Sequence, residues 1–147
     1  EVPDASKEKN KIFDKRLNQF LKIAIVLSLI QITLGTQVRQ LIDEIALSLN
    51  HLQRNLWVDL VGTTFKVHRS FAISIVIINV ALFFRNYKLK YRYQLVNFIC
   101  AVVFLEVLSG IILTYFDMLA LMQPIHLIAA SLLFLLQVYR YLQLPNL

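Results

Sequence analysis

The sequence predicts an all-α membrane protein: a four-transmembrane-helix bundle with an additional outer interfacial helix. Its composition is the first reason, since 58% of the 147 residues are hydrophobic and the mean hydropathy is +0.63. Only 16% of the residues are charged, against about 25% in a typical soluble domain. With three Gly and three Pro, the chain also has too few turn-forming residues for a loop-rich or all-β design.

Four apolar segments are each close to the roughly 20 residues that cross a hydrocarbon core as a helix. They cover residues 18–39, 66–84, 95–116 and 121–141. We therefore expect residues 18–147 to form one transmembrane domain in contact with the lipid bilayer. Residues 1–17 are expected to be a basic N-terminal segment or linker. Four such spans exclude a soluble enzyme and a nucleic-acid-binding protein.

The positive charges, which give a formal net charge of +6, predict the orientation. One group precedes the first span and another fills the connection between the second and third spans. Because cytoplasmic loops carry an excess of Lys and Arg, both termini and this connection are expected on the cytoplasmic side. The two groups are Lys7, Lys9, Lys11, Lys15 and Arg16, and Arg85, Lys88, Lys90 and Arg92.

The long outer connection, residues 40–65, has helical periodicity of its own. Apolar residues from Leu41 to Leu56 recur at helical spacing, which predicts a helix over about 41–60 lying along the outer interface. Trp57 is a candidate interfacial anchor. His51 lies in this stretch, and a solvated or interfacial histidine is a simpler interpretation than a ligand.

His68 and His126 are the candidate functional residues. Each lies in an otherwise apolar stretch near the start of a span that begins on the outer side, so both are expected at the same depth. A ring nitrogen is costly at membrane depth unless something binds it. Two such histidines on two helices predict axial ligands that hold a heme iron from both faces.

Three polar residues are candidates to support this site from the outer side. Arg39 ends the first span and Arg69 follows His68, and either guanidinium could pair with a heme propionate. Snorkelling to lipid headgroups is an equally good account of both arginines. Gln37 could add a hydrogen bond in the same region.

A faint internal repeat favours two related helix pairs. Residues 31–35 of the first span (QITLG) resemble residues 106–110 of the third (EVLSG), and each is followed by a span that opens with a histidine. The two glycines could serve ordinary close helix packing or leave space for a macrocycle. Glu106 is the one acid well inside a span, where a proton path and a packing role remain open.

At this point the sequence resembles a known family. Residues 34–40 (LGTQVRQ), followed by Ile42 and Asp43, are similar to the end of the first helix in the C-terminal half of heme A synthases. The stretches 67–69 (VHR) and 124–127 (PIHL) resemble the two ligand helices of that half, and their histidines are 58 residues apart. The resemblance covers the chain from about Leu17 onward.

The resemblance implies a function. Heme A synthases have two homologous four-helix halves and oxidise a methyl group of heme O to the formyl group of heme A, for terminal oxidase assembly. The N-terminal half binds heme O, and the C-terminal half binds one heme b through two histidines. Here those residues are His68 and His126, and this half would pass on the electrons released by the oxidation. The expected location is the inner membrane of a bacterium or of a mitochondrion.

Two features assign the chain to the cofactor half. The glutamate that lies three residues before the first histidine of the substrate half is replaced by Phe65. The single cysteine, Cys100, cannot form the outer cysteine pair of the substrate half, a pair that some C-terminal halves also carry. This half therefore has no catalytic residue of its own. Since the chain begins at Glu1 rather than methionine, we expect it to be part of a longer or two-half oxidoreductase.

The expected partners are an N-terminal substrate half and, beyond it, heme O synthase or a terminal oxidase, with a homo-oligomer as a further possibility. Two other functions remain open. One is a membrane b-type cytochrome that serves as an electron-transfer subunit, and the other is a heme-free structural subunit of a respiratory complex. The b-type cytochrome does not predict the LGTQVRQ run.

Overall fold

The computed structural model describes residues 14–89 and 92–143. Within these residues the chain forms five α-helices and no strand. Four of the helices are long and apolar enough to cross a membrane, which confirms the predicted all-α membrane bundle. The helices are α1 (Lys15–Ser48), α2 (Arg54–Val61), α3 (Thr63–Tyr87), α4 (Gln94–Tyr115) and α5 (Met122–Leu142).

The four long helices form a ring. The most extensive contacts pair α1 with α3 and α4 with α5, and contacts between α1 and α5 and between α3 and α4 complete the ring. Consequently α3 and α5, the two helices that carry the candidate histidines, lie diagonally across the bundle. Side chains on their inner faces meet in the core rather than at a helix–helix groove.

Three apolar clusters stack along the bundle. One, at what we call the basic end, joins Leu17, Leu21, Leu82 and Val96. The middle cluster contains Ile75, Ile99, Val102, Val103, Ala129 and Leu133. The third, at what we call the histidine end, contains Ile42, Ala46, Trp57, Val61 and Met118. This order makes α1 and α4 run from the basic end to the histidine end, and α3 and α5 run in the opposite direction.

The exterior of the bundle is apolar. In each long helix only 17–28% of the most apolar stretch is buried inside the protein, and large exposed hydrophobic side chains occur on all four, such as Val26, Ile77, Phe104 and Ile128. A surface of this kind is stable against lipid and not against water. The chain is therefore a multi-pass membrane protein.

The outer helix differs in its bounds from the prediction. The first span does not end at Arg39: α1 continues to Ser48, because Ile42 and Ala46 extend its buried face and no Gly or Pro interrupts residues 36–48. The chain then turns through Asn50, His51 and Gln53, all with positive φ. The periodicity over 41–60 thus belongs to the end of α1 and to the separate short helix α2.

Trp57 does not anchor the protein in the interface, which corrects that prediction. Its side chain is 4% exposed and packs in the cluster of the histidine end. The indole Nε1 donates a hydrogen bond to the Leu52 carbonyl at 2.9 Å, so the polar atom is satisfied locally. At Gly62, between α2 and α3, φ is +66°, a backbone conformation that favours glycine.

Some sequence-based predictions fall outside the described residues. Residues 1–13 of the basic segment 1–17, Lys90 in the basic connection, and the last four residues are among them. The described part of the N-terminal segment, residues 14–17, forms the start of α1 and its N-cap.

Asp14 fastens the start of α1 to the end of α3. One carboxylate oxygen caps α1 by accepting the Leu17 amide at 2.7 Å. Both nitrogens of the Arg85 fork, Nε and Nη2, also donate to this carboxylate. These hydrogen bonds from Arg85 hold the pKa of Asp14 below its ordinary value.

We expect Asp14→Ala to destabilise the bundle by the cap, about 1 kcal/mol, plus up to about 1 kcal/mol for the partly exposed ion pair. Asp14→Asn should retain most of the cap and lose only the ion pair. Because the folded-state pKa is lowered, the contribution of the pair is complete above the ordinary Asp pKa of about 3.9 and disappears as the pH falls through the lowered value. Thermal unfolding in detergent across this range measures both effects. Equal unfolding temperatures for the two variants would contradict the division between cap and pair.

Candidate functional site

The structure brings His68 and His126 together in the core. They lie on the diagonal helices α3 and α5, and both rings are partly buried. The described residues contain no group of three or more His, Cys, Asp or Glu that could hold a metal ion.

The inner faces of α3 and α5 carry matching residues at the same sequence offset of 58. An alanine stands one turn beyond each histidine, a large apolar residue two turns beyond, and an amide three turns beyond. The large residues and the amides are buried, and Gln137 Nε2 donates to Asn79 Oδ1 at 3.1 Å. The hydrogen bond between Asn79 and Gln137 thus bridges the core. The side chains one turn from the histidines are small. The two series are His68, Ala72, Ile75 and Asn79, and His126, Ala130, Leu133 and Gln137.

Each histidine ring rests on a glycine of the neighbouring helix. A Cβ atom on Gly35 of α1 would lie 3.3 Å from Cε1 of His68, and one on Gly110 of α4 would lie 3.5 Å from Cε1 of His126. These are the two glycines of the internal repeat, so the structure assigns them a specific use. Both allow a helix backbone to approach an imidazole.

His126 is held by two side chains of α4. Its Nδ1 lies 2.8 Å from Ser109 Oγ and contacts Glu106 Oε2 at ion-pair distance, although that contact lacks hydrogen-bond alignment. The Ser109 hydroxyl donates its one hydrogen to the Glu106 carbonyl at 3.0 Å. Two oxygens, Ser109 Oγ and Glu106 Oε2, thus face His126 Nδ1, an arrangement that favours a proton on Nδ1 and the lone pair on Nε2.

His68 lacks comparable support. Its Nδ1 is buried without a hydrogen-bond partner, and only its backbone is held, by Gln31 Nε2 donating to the carbonyl at 3.2 Å. The Nε2 atoms of both histidines make no hydrogen bond within the described part of the chain. Both remain available to a ligand in the core.

Of the predicted supporting residues, Arg39 is the one that reaches the site. Its Nε pairs with Asp43 at 2.9 Å, and its Nη1 donates to Gln123 Oε1, one turn before His126 on α5. Arg69 is exposed and its guanidinium lies over the Phe65 ring, 5.7 Å from the centroid. Gln37 is exposed and makes no hydrogen bond within the described residues.

Sequence reasoning missed Gln123 and gave Ser109 no role. Gln123 precedes His126 by three residues, so helical spacing alone could have placed it on the same face of α5. Ser109 stands next to Gly110 in the internal repeat, which was the available signal. His51 lies exposed in the turn between α1 and α2.

The residues present fit a heme held by two imidazoles. The observations are the two oxygens that face Nδ1 of His126, the Nε2 atoms of both histidines, which make no hydrogen bond within the described residues, and the small residues Ala72 and Ala130 one turn from the rings. Metal-binding histidines generally donate their other N–H to a fixed acceptor, as His126 does here. Arg39 would be the propionate partner at the histidine end.

Comparison with known proteins gives one match. The family model COX15-CtaA, described as cytochrome oxidase assembly protein, matches residues 3–138. The match includes α1 to α4 and all but the last turn of α5. No curated protein and no solved structure matches the chain significantly.

Gly35→Ala should disturb the site more than Gly110→Ala. At 3.3 Å the added methyl group would press on the His68 ring, whereas 3.5 Å is an ordinary van der Waals contact. Overpacking of this kind costs about 1–3 kcal/mol, so we expect Gly35→Ala to reduce heme retention about tenfold and Gly110→Ala to change it little. Heme content per purified chain is the measurement. Equal losses in both variants would show that the tighter approach at His68 has no effect.

Proposed function

The chain belongs to the COX15-CtaA family of cytochrome oxidase assembly proteins, the heme A synthase family, and we propose that it is the C-terminal, heme b-binding half of such an enzyme. The family connects it with heme A synthesis for the assembly of cytochrome oxidase. The finer assignment to the cofactor half, with His68 and His126 as the axial ligands of one heme b, is the proposal.

The observation that carries the proposal is the hydrogen-bond arrangement at His126. Ser109 Oγ and Glu106 Oε2 both face His126 Nδ1, an arrangement that favours a proton on Nδ1 and the lone pair on Nε2. A histidine buried only for packing has no need of a fixed tautomer. A ligand histidine does, because the metal requires the lone pair in a set direction. His68 lies on the diagonally opposite helix, where a second axial ligand is needed.

The chain's own residues would perform binding and electron transfer rather than oxidation of the substrate. A heme b held by His68 and His126 would supply one-electron redox chemistry and would bind no substrate at its iron. Phe65, which stands where the substrate half of the family has a glutamate, cannot move a proton. The methyl oxidation therefore belongs to an N-terminal half that binds heme O, and this half would accept and pass on the electrons.

Arg39 supports the same proposal at the end of the bundle. It is positioned by Asp43 and by Gln123, so its guanidinium is held at the first turn of the helix that carries His126. Arginine binds carboxylates through its planar fork, and the propionates are the carboxylates of a heme. Arg69 lies over Phe65 on the exposed surface and is the weaker candidate for binding a propionate.

We further propose that the basic end faces the cytoplasm, on the strength of the Lys and Arg distribution, in a bacterial inner membrane or its mitochondrial equivalent. The apolar exterior of the bundle would be shared between lipid and the substrate half. Heme O synthase, the terminal oxidase and a second copy of the chain are the further partners to test.

His68→Ala and His126→Ala should each abolish the low-spin b-type spectrum while the protein stays in the membrane. The measurement is a reduced-minus-oxidised spectrum of the purified chain, with pyridine extraction to identify the heme. His51→Ala is the matched control, since His51 is exposed in a turn and its removal should leave the spectrum unchanged.

A normal bis-histidine spectrum in both ligand variants would refute the ligand assignment. A wild-type chain that takes up no heme, despite ample supply, would favour the heme-free structural subunit. Heme b binding without any effect of the chain on heme A formation would favour the b-type cytochrome.

Arg39→Gln should weaken heme retention, and Arg69→Gln should not. Loss of a hydrogen bond between charged groups costs about 1.5–3 kcal/mol, which is roughly a 10–100-fold change in affinity. Competition for the heme by apomyoglobin gives the dissociation rate of each variant. A larger effect of Arg69→Gln would transfer the propionate role to that residue.

A further inference from the structure

The two histidines differ in how the protein holds them. Comparison of the two copies of the internal repeat shows which positions differ. In that repeat Gln31 corresponds to Glu106, Leu34 to Ser109 and Gly35 to Gly110. The glycines have the same use in both halves, since each lies against its histidine ring. The other two positions have diverged.

On the α4 side, both diverged positions act on the imidazole. Ser109 Oγ accepts from His126 Nδ1 at 2.8 Å, and Glu106 Oε2 contacts the same nitrogen. Ser109 is 3% exposed, so water does not compete freely for this hydrogen bond. Two polar side chains of α4 thus lie against Nδ1 of His126, one at hydrogen-bond distance and one at ion-pair distance.

On the α1 side, neither corresponding residue acts on the imidazole. Leu34 has no polar atom, and Gln31 donates to the backbone carbonyl of His68 instead of to the ring. His68 Nδ1 is accordingly buried without a partner. Its ring is positioned by the Gly35 contact alone.

We propose that Glu106 and Ser109 are positioning residues that make the two axial ligands unequal, with His126 the fixed, electron-rich ligand and His68 the adjustable one. This inference rests on the proposed function, because it concerns how the heme would be held. An acceptor on Nδ1–H raises the basicity of the coordinating nitrogen. A more basic ligand stabilises the ferric state and lowers the reduction potential.

The first test needs no heme. Nitrogen-15 NMR of histidine-labelled apoprotein distinguishes the two neutral tautomers of each ring. We expect His126 to be held as the Nδ1–H tautomer in the wild type and to become a mixture in Ser109→Ala, with Glu106→Leu showing the same change. A wild-type His126 protonated on Nε2 would overturn the inference, whatever the heme content.

The second test uses the chain loaded with heme. Glu106→Gln keeps the shape of the side chain with a weaker acceptor, so the midpoint potential should rise by about 59 mV, equivalent to a tenfold change for one electron. Ser109→Ala should shift it in the same direction. Glu44→Gln is the matched control, since it makes the same change at an exposed carboxylate that accepts from Gln40, and it should leave the potential unchanged.

A reciprocal variant tests whether the role of Glu106 is only structural. Leu34→Ser places a hydroxyl at the position on α1 that corresponds to Ser109, and it should lower the potential by giving His68 Nδ1 an acceptor. A wild type that binds heme, combined with an unchanged potential in Glu106→Gln and Ser109→Ala, overturns the inference and leaves the proposed function intact. A wild type with the expected tautomer that binds no heme overturns the proposed function instead.

Discussion

The close approach of a helix backbone to an imidazole ring is the constraint on which the rest of the bundle depends. Gly35 and Gly110 bring α1 against His68 and α4 against His126, with 3.3 Å and 3.5 Å from a Cβ position to each ring. The most extensive helix contacts are in these same two pairs. Once each histidine is fixed to a neighbouring helix, the two pairs can associate only with α3 and α5 on the diagonal, where the rings meet.

Further along the core, α3 and α5 carry matching residues at the same sequence offset of 58. Ile75 and Leu133 are both buried below the alanines, and Asn79 and Gln137 join by a hydrogen bond beneath them. This hydrogen bond links α3 to α5 at one level of the core. The two helix pairs therefore carry matching residues at three levels: the alanines, the large apolar residues and the amides. They differ where Ser109 and Glu106 support the ring of His126.

The sequence was sufficient for the four apolar helices and the fold class, because a long hydrophobic run is a local signal. It was misleading between residues 41 and 60, where one apolar periodicity runs through two helices. The break between these helices depends on positive φ angles at Asn50, His51 and Gln53. None of these positions is a glycine, so the sequence gives no signal of the turn. The tautomer of His126 and the contact of Arg39 with Gln123 were out of reach, since both depend on which helices become neighbours.

In the proposed function, the level of the histidines along the bundle would determine where electrons enter and leave. His68 and His126 lie in the second turn of their helices, about 6–8 Å from the first helical residue at 1.5 Å per residue. The far end of α3 is about 28 Å away by the same rise. Because electron tunnelling slows steeply with distance, a redox centre at this level would exchange electrons with partners at the histidine end or beside it. Electron transfer past the Asn79–Gln137 hydrogen bond to the far end of the bundle would be slow.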